Sequence, residues 1–186
     1  LGAQLIAKTC NAIVEKAPEK EIGWYRVKLT SEGQKDVLFQ GLPKNMHVFQ
    51  WHEDTFEVPS NGVLLVQSDK CKNQAFRIGN HVYGLQFHVE VTKNMIKEWT
   101  EDAPMNIDVQ RVMKNTVKLQ EEFEQHANQI FLNFKRLIES ALRIKRIMKL
   151  FIDDEKKSRN KKLLWWDINE HVFSSKKYSA IAPSLS

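Results

Sequence analysis

His88 and Glu90, two positions apart in Tyr83-Gly84-Leu85-Gln86-Phe87-His88-Val89-Glu90, are the residues of this chain best spaced for acid–base chemistry. In a strand, residues two apart point the same way. Glu90 can therefore reach the imidazole, select its tautomer and stabilise its protonated form, which is the base-plus-orienter half of a nucleophilic triad. A half-buried strand with a wet His/Glu face has the same pattern, so the pair gains meaning from its company. That company includes Leu1-Gly2-Ala3-Gln4-Leu5-Ile6-Ala7, a small-residue turn entering an apolar, alanine-containing run. A nucleophile elbow has this texture on its downstream side.

Trp51-His52-Glu53-Asp54 offers a second His among carboxylates, readable as a metal site or an acid–base pair, but nothing else with ligand spacing supports a metal. The cysteines are Cys10 and Cys71, both read as ordinary unpaired thiols. Cys71 falls in the polar stretch Ser68-Asp69-Lys70-Cys71-Lys72-Asn73, where neighbouring lysines would lower a thiol pKa. Cys10 stands two to three helical turns beyond the elbow at ~1.5 Å per residue, away from the turn.

Four segments together resemble the class I glutamine amidotransferases, in their stand-alone, GMP-synthase-like branch. They are Leu1 to Ala7, Glu21-Ile22-Gly23-Trp24, Val48 to Phe56, and Asn73-Gln74-Ala75-Phe76-Arg77 running on through Gly84 to Glu90. The resemblance spans roughly the first hundred residues, and its specificity lies in the combination. It implies an α/β, three-layer, flavodoxin-like fold with a mostly parallel sheet, the N-terminal strands being absent from this chain. It also implies a catalytic cysteine directly before Leu1, which would leave the chain as written without a nucleophile and inactive.

The implied reaction is hydrolysis of the glutamine amide to glutamate and ammonia through a Cys-His-Glu triad. His88 would be the base and Glu90 its orienter, the Leu1 N–H would serve the oxyanion hole, and Gly2, Gln4 and His52 would hold the substrate. No cofactor and no metal are implied. Two positions depart from the family pattern. Glu53 stands where glycine is usual, in what the resemblance makes a loop beside the site, and Val89 replaces a proline, with loss of rigidity between His88 and Glu90. γ-Glutamyl peptide hydrolysis on the same scaffold is an alternative. So is a noncatalytic remnant that uses its tail for interaction. Expected partners are glutamine, a synthetase or other ammonia acceptor, and a second copy through the exposed sheet; nucleic acid and membrane are not expected.

The elements that must position these residues are coarsely legible. Ile22–Leu29 and Gly62–Gln67 read as strands, and residues 76–83 as a hairpin turning at Gly79-Asn80 toward the His88 strand. A helix follows over Val91–Thr100. Beyond Pro104, Val109, Met113, Thr116, Phe123, Ala127, Ile130, Phe134, Leu137 and Ala141 recur at spacings near three and four, an amphipathic helix packing on the sheet.

A chain of 186 residues, 42% of them hydrophobic, can bury one substantial core. Its net charge of +5 is uneven: residues 1–140 carry 17 Lys+Arg against 18 Asp+Glu, and residues 141–186 carry 11 against 5. The division predicted is therefore an amidotransferase-like domain over 1–140 and a basic extension over 141–186, helical and then flexible. That extension holds the basic run 156–162 and Leu163-Leu164-Trp165-Trp166. With no membrane-length apolar run and no disulfide framework, a cytoplasmic location is expected.

Overall fold

The computed structural model describes residues 1–103, 105 and 107–155, with side chains as far as residue 149. The basic run 156–162 and the Leu163–Trp166 cluster lie outside the described residues. The elements in order are α1 (Gly2–Thr9), β1 (Val14–Leu29), α2 (Ser31–Lys35), a 3-10 helix (Val37–Phe39), β2 (Asn45–Phe56), β3 (Gly62–Gln67), β4 (Ala75–Ile78), β5 (Val82–Leu85), α3 (Lys93–Glu101) and α4 (Val109–Glu155). The chain divides into a unit over Leu1–Ile138 and a unit over Glu139–Ser186.

The first unit is built on a five-stranded sheet of order β2-β1-β3-β4-β5. Every pairing is antiparallel, which corrects the expectation of a mostly parallel sheet. The reason lies in the connections. Parallel neighbours need a crossover of a dozen residues or more, whereas the links at 68–74 and 79–81 are short and return the chain beside the strand it has left. The 57–61 link instead carries the chain from β2 to the other edge of β1, where β3 pairs antiparallel.

Beyond β5 the chain leaves regular strand geometry, so Tyr83 to Glu90 is not one continuous strand as the sequence suggested. The Gln86 N–H still donates to the Gln74 carbonyl at 2.8 Å, and the His88 N–H then donates to the carbonyl of Phe49 in β2 at 2.9 Å. The segment after the last strand thus meets the strand at the far end of the sheet order, and the sheet curls upon itself. Val27, Leu29, Phe39, Met46, Val48, Leu65, Val66 and Phe87 fill one core cluster together with Ile130 of α4. Phe49, Val91, Ile96, Val112 and Phe123 form a second, and α1 packs Ala3 and Ala7 on Phe56 and Phe76 in a third.

Two glycines carry steric duties. Gly23 adopts φ +110°, a region open to glycine, where β1 passes Val112 of α4. A Cβ on Gly84 would stand 2.5 Å from the ring of Phe76, its partner across the β4–β5 pair.

The helix that carries Trp99 begins at Lys93, because Thr92 caps it: the Thr92 hydroxyl accepts the Met95 N–H at 3.3 Å. In α4 the buried face includes Val112, Thr116, Phe123, Ala127, Ile130 and Asn133. Phe134, expected on that face, is 41% exposed. Asn133 takes the inward position, and its side-chain amide donates to the carbonyls of Leu38 and Gln40 at 3.0 and 2.8 Å. Those carbonyls belong to the 3-10 turn and require a polar partner there. In the second unit, Leu142, Ile144, Ile147 and Met148 are exposed.

Candidate functional site

His88 is placed by its backbone bond to Phe49 and by an edge-on contact with Trp99 of α3, ring centroids 5.1 Å apart. Its Nδ1–H donates to Oε1 of Glu90 at 2.6 Å. A carboxylate at Nδ1 leaves Nε2 as the nitrogen that exchanges protons, and Nε2 has no hydrogen bond among the described residues. Val89 donates its N–H to Oε2 of Glu90 at 2.9 Å, a bond no proline at this position can make. The departure at Val89 therefore replaces rigidity with a direct anchor on the carboxylate. Held mainly by the His88 hydrogen bond, the Glu90 carboxyl is lowered to about 2, and it is ionised at neutral pH.

A cavity of about 420 Å³ opens nearby, lined by residues that include Leu1, Gln4, Lys16, Trp51, His52 and Asp54. Ring contacts link it to His88: Trp51 on its wall lies 5.7 Å from Trp99, which in turn touches His88. Leu1 stands at the N-cap of α1 at the cavity edge, and a Cβ on Gly2 would meet open space.

The Asp54 carbonyl gathers three side chains of the region. It accepts from Gln86 Nε2 at 2.6 Å, from His52 Nδ1 at 3.0 Å and from Gln4 Nε2 at 3.3 Å. A carbonyl has two lone pairs, so the longest of these bonds, that of Gln4, is the one most readily exchanged for a ligand.

Residues 51–54 lie in β2 and not in a loop. The ladder to β1 pairs Trp51 with Ile22 and His52 with Glu21, and pairing of this length makes a strand whatever the local composition. Glu53 has no positive φ, so its replacement of glycine costs no backbone strain. It faces solvent among Lys16 and Lys20. His52 lines the cavity, yet both of its ring nitrogens are engaged, Nδ1 by Asp54 and Nε2 by Glu21 at 3.0 Å.

The cysteines stand apart from His88. Cys10 follows the last turn of α1. Cys71 is 2% exposed, and burial pushes its thiol pKa up, opposite to the lowering expected from neighbouring lysines. Lys70 is engaged elsewhere, in a pair with Glu19. Sequence reasoning passed over Trp99 and Gln86. Gln86 was within sight, two residues before His88 in the alternation of the same segment, whereas nothing local marks Trp99.

The family profile described as Glutamine amidotransferase class-I matches residues 1–103. A glutamine amidotransferase-like protein of Salmonella typhimurium, YfeJ, is 36% identical over 97 residues, 52% of this chain and 41% of the relative. A GMP synthase [glutamine-hydrolyzing] of Bacteroides thetaiotaomicron is 40% identical over 92 residues, 48% of this chain and 18% of that protein. The crystal structure of a glutamine amidotransferase from Thermotoga maritima superposes with a TM-score of 0.63 at 31% identity, covering 74% of this chain and 59% of that one. The chain thus spans less than two thirds of each of these relatives.

Proposed function

The chain belongs to the class-I glutamine amidotransferase family, and from that premise we propose that it carries the base and orienter of a glutamine-hydrolysing site. The observation that carries this reading is the His88–Glu90 bond at 2.6 Å with Nε2 left unengaged among the described residues. In the proposed reaction, Nε2 takes the proton of a cysteine thiol, and the thiolate attacks the side-chain carbonyl of glutamine. Collapse of the tetrahedral intermediate expels ammonia, which takes the proton from His88. Water, deprotonated in turn by Nε2, then cleaves the thioester and releases glutamate. Glu90, ionised throughout, stabilises the imidazolium that forms twice per cycle.

The nucleophile in this reading is a cysteine seated directly before Leu1, at the start of α1. There the first N–H groups of the helix and its dipole would stabilise the oxyanion. Cys10 and Cys71 are unsuited to the role by position and by burial respectively. Gln4, with its long and replaceable bond to Asp54, is the proposed contact to the substrate glutamine, at the edge where Leu1 and Gly2 begin α1. His52 serves as a wall of the cavity. We further propose that the ammonia goes to an acceptor on a synthetase domain or protein, since the Bacteroides relative is named for such a coupled synthesis.

The test is ammonia release from glutamine. The chain by itself is expected to release none. Joined to an upstream amidotransferase half that ends in cysteine, it should release ammonia in a manner that His88→Ala abolishes; an unchanged rate in that variant would remove His88 from the chemistry. Running γ-glutamyl peptides beside glutamine decides between amide and peptide hydrolysis.

A further inference from the structure

A second cluster of ionisable groups is buried where β1, β2 and the 68–74 connection meet. One carboxylate oxygen of Glu21, one ring nitrogen of His52 and the sulfur of Cys71 all lie within 4.8 Å of one another. Glu21 is fully buried, Cys71 is 2% exposed and His52 8% exposed. Glu21 and His52 are cross-strand partners in the β1–β2 register. Cys71 is fixed by Ser68, whose hydroxyl accepts the Cys71 N–H at 3.1 Å and donates to the Cys71 carbonyl at 2.8 Å.

Both ring nitrogens of His52 face acceptors. The Asp54 carbonyl, 3.0 Å from Nδ1, can only accept, so Nδ1 carries a proton. Nε2 then faces Oε2 of Glu21 at 3.0 Å, and without a cation a second proton must sit between them. Either form, imidazolium with carboxylate or imidazole with carboxylic acid, is costly in the interior. The Gln74 amide, donating to the same Oε2 at 2.8 Å, and the Ser68 hydroxyl, 3.4 Å from Oε1, offset part of that cost.

The same bonds are those of a metal-ligating histidine, in which Nδ1–H held by a backbone carbonyl presents Nε2 as the ligand. Carboxylate, imidazole and thiolate together are the ligand set of zinc, while calcium and magnesium avoid sulfur. We propose that Glu21, His52 and Cys71 bind one borderline-soft divalent cation of the zinc class, entering from the cavity that His52 lines. A dication with one carboxylate, one thiolate and a neutral imidazole makes a site of zero net charge, suited to this depth. Zinc bonds of about 2.0–2.3 Å set neighbouring ligands roughly 3.3–3.8 Å apart in a tetrahedron, so closure needs movements of about 1 Å. Burial keeps the Cys71 thiol protonated in the metal-free chain, and the cation itself supplies the charge that converts it to thiolate. Bound there, the ion ties β1, β2 and the 68–74 connection together and raises thermal stability by mass action.

The test uses the whole metal-stripped chain carrying Cys10→Ser, which leaves Cys71 as its one thiol. Cobalt titration is expected to saturate at one equivalent with a thiolate-to-metal charge-transfer band. Adding Cys71→Ser should erase the band and weaken zinc binding by about 100-fold or more. Absence of the band before that change, or its survival after it, overturns the proposal. Should Cys71→Ser fail to fold, X-ray absorption of the zinc-loaded Cys10→Ser chain decides. One sulfur at about 2.3 Å upholds the site, and a shell of nitrogen and oxygen alone rejects it.

Discussion

Oε1 of Glu90 accepts the Nδ1–H of His88 at 2.6 Å while Oε2 accepts the Val89 N–H at 2.9 Å, so both oxygens of one carboxylate are fixed within a span of three residues. The imidazole is held from one side by this carboxylate and from another by the edge contact with Trp99. Orientation of this kind, and not mere proximity, is what a catalytic base needs.

Glu90→Gln keeps the shape of the pair and removes its charge. In a polypeptide supplied with a cysteine before Leu1, ammonia release should fall by about 10²- to 10⁴-fold, because the imidazolium loses its counter-charge and Nδ1 its defined tautomer. Steady-state rates with glutamine measure this. A variant within twofold of the parent would exclude Glu90 as orienter.

The low Glu90 pKa makes stability acid-sensitive. A carboxyl at about 2 in the folded chain, against its ordinary 4.5, stabilises the fold fully above pH 4.5, and that contribution is lost as pH falls toward 2. Because the side chain is 52% exposed, screening cuts the effect to roughly 1 kcal/mol. Urea melts between pH 5 and 2.5 should show this slope in the parent and a shallower one in Glu90→Gln; parallel curves would contradict the shift.

Gly84→Ala tests the close approach beneath the His88 segment. The new Cβ would meet the Phe76 ring at 2.5 Å, and Phe76 is fully buried against Phe56 and α1. The ring cannot swing clear, so the cost should be about 1–3 kcal/mol, read as a lower unfolding midpoint. An unchanged midpoint would mean that the ring relocates freely.

Asp36 anchors the turn between α2 and the 3-10 helix to the β4–β5 hairpin. Its carboxylate accepts Leu38 N–H at 2.9 Å, Arg77 Nε–H at 2.7 Å and Tyr83 O–H at 3.1 Å, and the Asp36 side chain is 4% exposed. Burial and this carboxylate together push the Tyr83 phenol above its ordinary range. Asp36→Asn leaves the Arg77 charge without its counter-ion, at a cost of about 2–4 kcal/mol. Denaturant midpoints would show it, and a loss under 0.5 kcal/mol would place the pair among ordinary surface bridges.

The sequence by itself determined what depends on near neighbours in the chain. Gly79-Asn80 turns the β4–β5 hairpin, the three-to-four spacing after Val109 makes a helix, and His88 meets Glu90 close by in the chain, though in an irregular segment and not in the strand the spacing suggested. It also displayed the four segments that carry the family membership. Tertiary structure decided what depends on partners distant in sequence. The sheet is antiparallel through pairings such as β1 with β2 and β1 with β3, which join segments distant in the chain. Residues 51–54 are strand because β1 pairs with them. Asn133 displaces Phe134 from the inner face because two remote carbonyls demand a donor. Trp99 reaches His88, and Glu21, His52 and Cys71 converge, only through contacts between segments distant in the chain. Side-chain periodicity is a property of the local backbone, whereas strand direction, burial and hydrogen-bond satisfaction are settled by whatever the fold brings alongside.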